Sequence, residues 1–147
     1  MTALADVMAG PPEAAAHRIS TTVTPAAVER AAVAAGWRFA LVESVDASDK
    51  AQVMASFQAG LGWPDWFGRN LDALVDALRD VGAANLDATA DDAAERPGTV
   101  VMWDRPDLFE TGHADDYTAV LDILAQRAGD PDRPRLIVLV RPSPTEA

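Results

Sequence analysis

The chain has 147 residues and a mass of 15.6 kDa, 49% of its residues are hydrophobic and 24% are charged, so one domain with a proper core is expected and disorder throughout is excluded. With no cysteine and only two histidines, His17 and His113, it lacks the material for disulfides, thiolate metal centres, a cysteine nucleophile or a histidine-based metal cage. Twelve basic against 23 acidic residues leave a net charge of −11, which repels a phosphate backbone and argues against nucleic-acid binding.

The acidity is local: residues 65–122 hold 14 acidic and 4 basic residues, and the rest of the chain holds 9 and 8. Such a field ordinarily keeps a protein soluble and can also steer a basic partner. The first residues lack a basic start, Pro11 and Pro12 interrupt any apolar run, and no stretch approaches the ~18 apolar residues of a membrane helix. A soluble, cytoplasmic protein is expected.

Residues 1–15 are aperiodic and rich in Ala, Gly and Pro, and read as a loose tail. Residues 17–23 form a weak strand candidate. Thr24 and Pro25 are an N-cap and first helical residue, opening a helix that runs to Ala35 and stops at Gly36. Residues 37–43 read as a strand, and Ser48 or Asp49 caps a helix over 50–58 with Val53, Met54 and Phe57 at core spacing. Residues 60–64 read as a loop, 70–81 as a third helix, and the acidic run 82–97 as a solvated excursion. Residues 99–103 are a buried strand, Asp115 or Asp116 opens a fourth helix that runs to about Arg127, and 135–140 are a continuous apolar strand followed by a tail from residue 142. Helices between buried strands imply an α/β fold with a small parallel sheet of three to four strands. The helices could cover one face of that sheet or both. One domain over residues 16–141 is expected.

The densest chemistry lies in residues 61–80. At 100° per residue, Leu71, Leu74, Val75, Leu78 and Val81 make one apolar stripe. Asp72 and Asp76, four apart, share the opposite face with Arg79 beside them. Like charges at that spacing cost an isolated helix a few tenths of a kcal/mol. Asp72 is favoured by the dipole of the first turn if Asn70 is the N-cap, whereas Asp76 gains much less. On a generic helix, Arg79 simply pairs with Asp76 on a solvated face. Trp63, Trp66 and Phe67 precede the helix, with Gly68 where the chain turns into it. Trp63 and Phe67 fit a plug over the end of the sheet, and Trp66 fits either a plug or a recognition surface.

The run Pro64-Asp-Trp-Phe-Gly-Arg-Asn-Leu-Asp-Ala-Leu-Val-Asp76 resembles the signature of the barstar family, intracellular inhibitors of barnase-type secreted ribonucleases. The family pattern is Pro, an acidic residue, two aromatics, Gly, any residue, Asn, Leu, Asp, Ala, Leu, a variable residue and Asp. Looser agreement extends over residues 37–140, leaving an added strand and helix before it. The resemblance implies a compact parallel sheet, and a helix and loop that plug a cleft lined by basic groups. By position, Asp76 would meet the catalytic basic cluster, Asp72 a neighbouring donor, and Asn70 and Trp66 would hydrogen-bond and stack. Long-range acidity would speed encounter and desolvated charge pairs would slow release, a division for which barnase–barstar is itself the reference pair. Val75 replaces a common aromatic, Arg79 replaces a small polar residue, and the family's later acidic residues are not matched near Gln126. These departures alter the rim and leave the two aspartates.

Trp66, Gly68, Asn70, Asp72, Val75, Asp76 and Arg79 are therefore the candidate partner-binding residues. The expected partner is a basic secreted ribonuclease or related nuclease toxin, with the free protein a monomer. The same acidic and aromatic face could instead serve a protein–protein module that inhibits nothing. An enzyme is not expected: no Gly-rich phosphate loop or nucleophile elbow is present, and Asp72 and Asp76 lack a third ligand at a defined spacing. No metal or cofactor is expected.

Overall fold

The computed structural model describes residues 8, 10–11, 13–63, 70–79, 81 and 98–143. In chain order these form β1 (Ala16–Arg18), α1 (Pro25–Ala34), β2 (Arg38–Glu43), α2 (Lys50–Leu61), α3 (Leu71–Arg79), β3 (Gly98–Asp104), α4 (Asp107–Gly112), α5 (Ala114–Ala128) and β4 (Arg135–Arg141). The four strands make one all-parallel sheet in the order β1-β4-β3-β2. The expected α/β class and parallel sheet are borne out.

Strand order decides which face each helix covers. The chain crosses from β1 to the far edge at β2, then returns stepwise through β3 to β4. Parallel crossovers keep one hand, so a connection running the opposite way across the sheet must lie on the opposite face. Accordingly α1 packs Val28 and Ala32 on one face, against Trp37, Val100, Met102, Ile137 and Leu139. Helices α2 to α5 cover the other, where Phe57, Leu74, Phe109, Tyr117 and Leu124 surround Val101, Trp103 and Val138. The result is three layers. Every residue of β3 is buried, and its apolar run Val100–Trp103 lies at the centre of a two-sided sheet.

Local chemistry sets the element ends. The Thr24 hydroxyl accepts from the Ala27 N–H at 3.2 Å, and Gly36 takes a φ of 82° just past α1. Asp49, of the two candidates, caps α2 by accepting from the Gln52 N–H at 2.8 Å. Three local readings need correction. Strand β1 has three residues, not seven, because the Ser20 hydroxyl bonds Thr22 and diverts the backbone into a turn. Helix α2 runs one turn further, to Leu61, and ends at Gly62 with φ 69°. Gly60 is then no loop residue: a Cβ there would run into the Leu41 carbonyl oxygen, so its bare backbone lets α2 lie against β2. Helix α4 was not foreseen, since six residues with Phe109 as their buried anchor show no periodicity.

Candidate partner-binding site

Helix α3 is nine residues long, too short to hold itself in water, so packing and caps must make it. Leu74 and Leu78 are fully buried, and Leu71, Ala73, Ala77 and Val81 pack around them on the same cluster. The buried stripe is thus centred slightly away from the expected one. Ala73 and Ala77 belong to it, and Val75 is half-buried at its margin, beside the acidic row. Val75 lies 60° from Asp72 on the helix wheel, so Asp72, Val75, Asp76 and Arg79 form one outward face.

Asn70 caps this helix: its Oδ1 accepts from the Ala73 N–H at 2.8 Å while its carbonyl accepts from the Leu74 N–H at 2.9 Å. That oxygen is committed to the fold. The cap places Asp72 in the first turn, where the unpaired N–H groups favour an anion. Asp72 and Asp76 are both exposed. The Asp76 carboxylate accepts one hydrogen bond from Arg79 Nη1 at 3.3 Å, with side-chain exposures of 74% for Asp76 and 55% for Arg79. An ion pair so open to water contributes about 0.2–1 kcal/mol and is easily exchanged for a better partner. Asp72 makes no ion pair among the described residues.

The preceding aromatic loop is described only in part. Trp63 is half-buried and packs on the main core, with its N–H donating to the Gln58 carbonyl at 3.0 Å, in keeping with a plug. Trp66 and Gly68, together with Phe67, lie outside the described residues. The acidic run 82–97 does too.

The core that α3 joins also holds an aromatic cluster. Trp103 meets Phe57 at 5.3 Å, Tyr117 at 5.5 Å and Phe109 at 6.4 Å between ring centroids, and its Nε1–H donates to the buried Ser44 hydroxyl at 2.9 Å. The apolar side of α3 enters the same core, packing mainly on α5, and its charged side is turned to solvent. No local signal points to Arg127, buried on α5, whose Nε–H donates to the Leu78 carbonyl at 2.7 Å. A lone arginine near a helix end reads as a surface residue unless its acceptors, far away in sequence, are known. Among the described residues, no three His, Asp or Glu side chains converge as a metal centre would require.

From Trp37 onward, the strands β2, β3 and β4 and the acidic helix α3 fall within the reach of one protein-family model. The model of Barstar (barnase inhibitor) matches residues 37–140. The chain belongs to the barstar family. The match runs from the start of β2 almost to the end of β4, so β1 and α1 precede the matched barstar region. At the level of the barstar family, the activity is inhibition of barnase-type ribonucleases by a protein that binds them. Comparison with curated proteins gives no match. No helix among the described residues is long and apolar enough to cross a membrane.

Proposed function

We propose that this chain is a cytoplasmic inhibitor of a basic microbial ribonuclease, and that Asp72 and Asp76 on α3 imitate the anionic groups of the enzyme's substrate. The observation that carries this reading is the exposure of both carboxylates on one face of a helix whose other face is locked into the core. A ribonuclease cleft is lined by cations that bind phosphate. Carboxylates fixed at the N-terminal end and middle of a rigid helix can occupy that position without offering a bond to cleave. Trp66, Gly68 and Asn70 complete the approach from the loop side, Val75 supplies an apolar edge, and Asp76 exchanges Arg79 for a cation of the enzyme. The enzyme's own groups then replace an exposed pair with desolvated ones, which slows release.

The test is inhibition of a panel of basic microbial ribonucleases by the purified chain and by Asp76→Ala. Inhibition that is lost or weakened at least tenfold in the variant, with the unfolding midpoint unchanged, supports the reading. Equal loss of stability and binding indicates a structural role for Asp76.

A second reading is a protein–protein module that uses the same face without inhibiting a nuclease. The Asp76–Arg79 pair favours it, because it makes the face part cationic where a basic cleft wants only anions. Capture from a native cytoplasm by wild type, set against an Asp72→Ala/Asp76→Ala double variant, separates the two. Retrieval of non-nuclease partners alone supports the module.

A further inference from the structure

Arg127 is buried on α5, with three directed hydrogen bonds to main-chain carbonyls in two separate segments. Its Nε–H donates to Leu78 at 2.7 Å, one Nη–H group to Val81 at 2.9 Å and the other to Pro134 at 2.9 Å. No carboxylate of the described residues lies within ion-pairing distance of it. Burial lowers its pKa, partly offset by Asp130, while Arg133 adds repulsion; an arginine still keeps its proton at neutral pH. The cation is therefore met by peptide oxygens, and two of the three lie at or just past the C-terminal end of α3, where the carbonyls carry the negative end of the helix dipole.

That end matters because of what it carries. Asp76 and Arg79 occupy the last turn and a half of α3. A nine-residue helix frays unless both ends are held, and Asn70 holds only the first. We propose that Arg127 is a positioning residue for the acidic face: by gripping the Leu78 and Val81 carbonyls it fixes the last turn of α3, and so fixes where Asp76 presents its carboxylate to a cationic partner. This rests on the reading of that face as the one that binds the ribonuclease. Arg127 itself touches no partner.

The test has one arm that needs no partner. Amide hydrogen exchange is followed by NMR in wild type, Arg127→Lys and Arg127→Met. Losing charge-assisted hydrogen bonds should speed exchange in the last turn of α3, residues 76–79, by about tenfold or more relative to any change in β3 and β4. Lysine, which keeps the charge and can reach one carbonyl, should restore part of the protection. Equal acceleration in α3 and the sheet overturns the proposal, because Arg127 would then act only on global stability. If neither variant folds, wild type in low urea decides: the α3 last turn should open together with α5, and opening of α3 while α5 stays closed overturns it.

The second arm is a double-mutant cycle of Arg127→Met and Asp76→Ala on inhibition of a barnase-type ribonuclease. The two side chains do not touch, so non-additive loss of inhibition is expected only if one positions the other. Additive losses overturn the proposal. A wild type that inhibits no ribonuclease overturns the inhibitor reading instead, and the exchange arm still judges Arg127.

Discussion

Asp104 and Arg141 stand directly opposite one another in the register of β3 and β4 and join in a two-bond fork, Nε to Oδ1 at 2.6 Å and Nη2 to Oδ2 at 3.1 Å. Both are buried at the C-terminal edge of the sheet. The remaining Nη of Arg141 donates to the Thr21 and Val23 carbonyls, 3.1 and 3.3 Å away, in the turn between β1 and α1. One guanidinium thus ties the added N-terminal segment to the barstar-type sheet. The hydrogen bond that Arg141 donates to Asp104 raises the Arg141 pKa, against the effect of burial.

Removing one partner of such a pair leaves a buried charge alone. Asp104→Ala should destabilise the fold by about 3–5 kcal/mol, read from the urea midpoint. An apolar replacement of both residues should recover much of that loss, since desolvation of the pair offsets most of its attraction.

Gly60 offers a case in which two effects have opposite signs. Alanine in an ordinary helix interior is favoured over glycine by about 1 kcal/mol. At Gly60 the new methyl would overlap the Leu41 carbonyl oxygen and come within 3.0 Å of Val42 Cγ2. A clash with main chain cannot be relieved by a rotamer change, so overpacking of about 1–3 kcal/mol should win. Gly60→Ala should lower the midpoint of chemical denaturation; an increase would show that α2 can move off β2 freely.

Asn70→Ala removes the side-chain acceptor of the Ala73 N–H. A cost of about 1 kcal/mol is expected, with faster exchange of the Ala73 amide. Asn70→Asp should retain the cap and much of the stability.

Tyr117 supplies a pH dependence with a definite sign. Burial is the main cause that raises its pKa, Glu110 and Asp107 add to it, and Arg18 opposes them. The folded state therefore favours the neutral phenol. Its contribution is complete below about pH 10, the ordinary tyrosine value, and is lost as pH rises through the higher folded value, because the unfolded chain ionises first. Tyr117 is the only tyrosine, Lys50 the only lysine, and cysteine is absent, so little else titrates there. Denaturation midpoints should fall above about pH 10 in wild type, and Tyr117→Phe should flatten that fall.

The candidate face was legible in the residues because it is a local object. A period of 3.6 puts Leu74 and Leu78 inside and Asp72 and Asp76 outside whatever surrounds the helix, and an asparagine before the first turn announces its own cap. The Arg79 pairing was legible for the same reason, being a neighbour three residues away. Gly60 was misread because its role is to make room for the distant Leu41 carbonyl, and α4 was missed because six residues carry no period.

Residue order alone thus determined the α/β class, the buried parallel strands, the caps of α1 and α3 and the side of α3 that faces water. Each follows from interactions within about a turn of helix or from unbroken apolar runs along the chain. Only the tertiary structure decided that α1 covers a face of its own, that Asp104 meets Arg141, and that Arg127 closes the end of α3. Those facts depend on strand order and on partners 37 to 49 residues apart, and no local rule carries information over that distance.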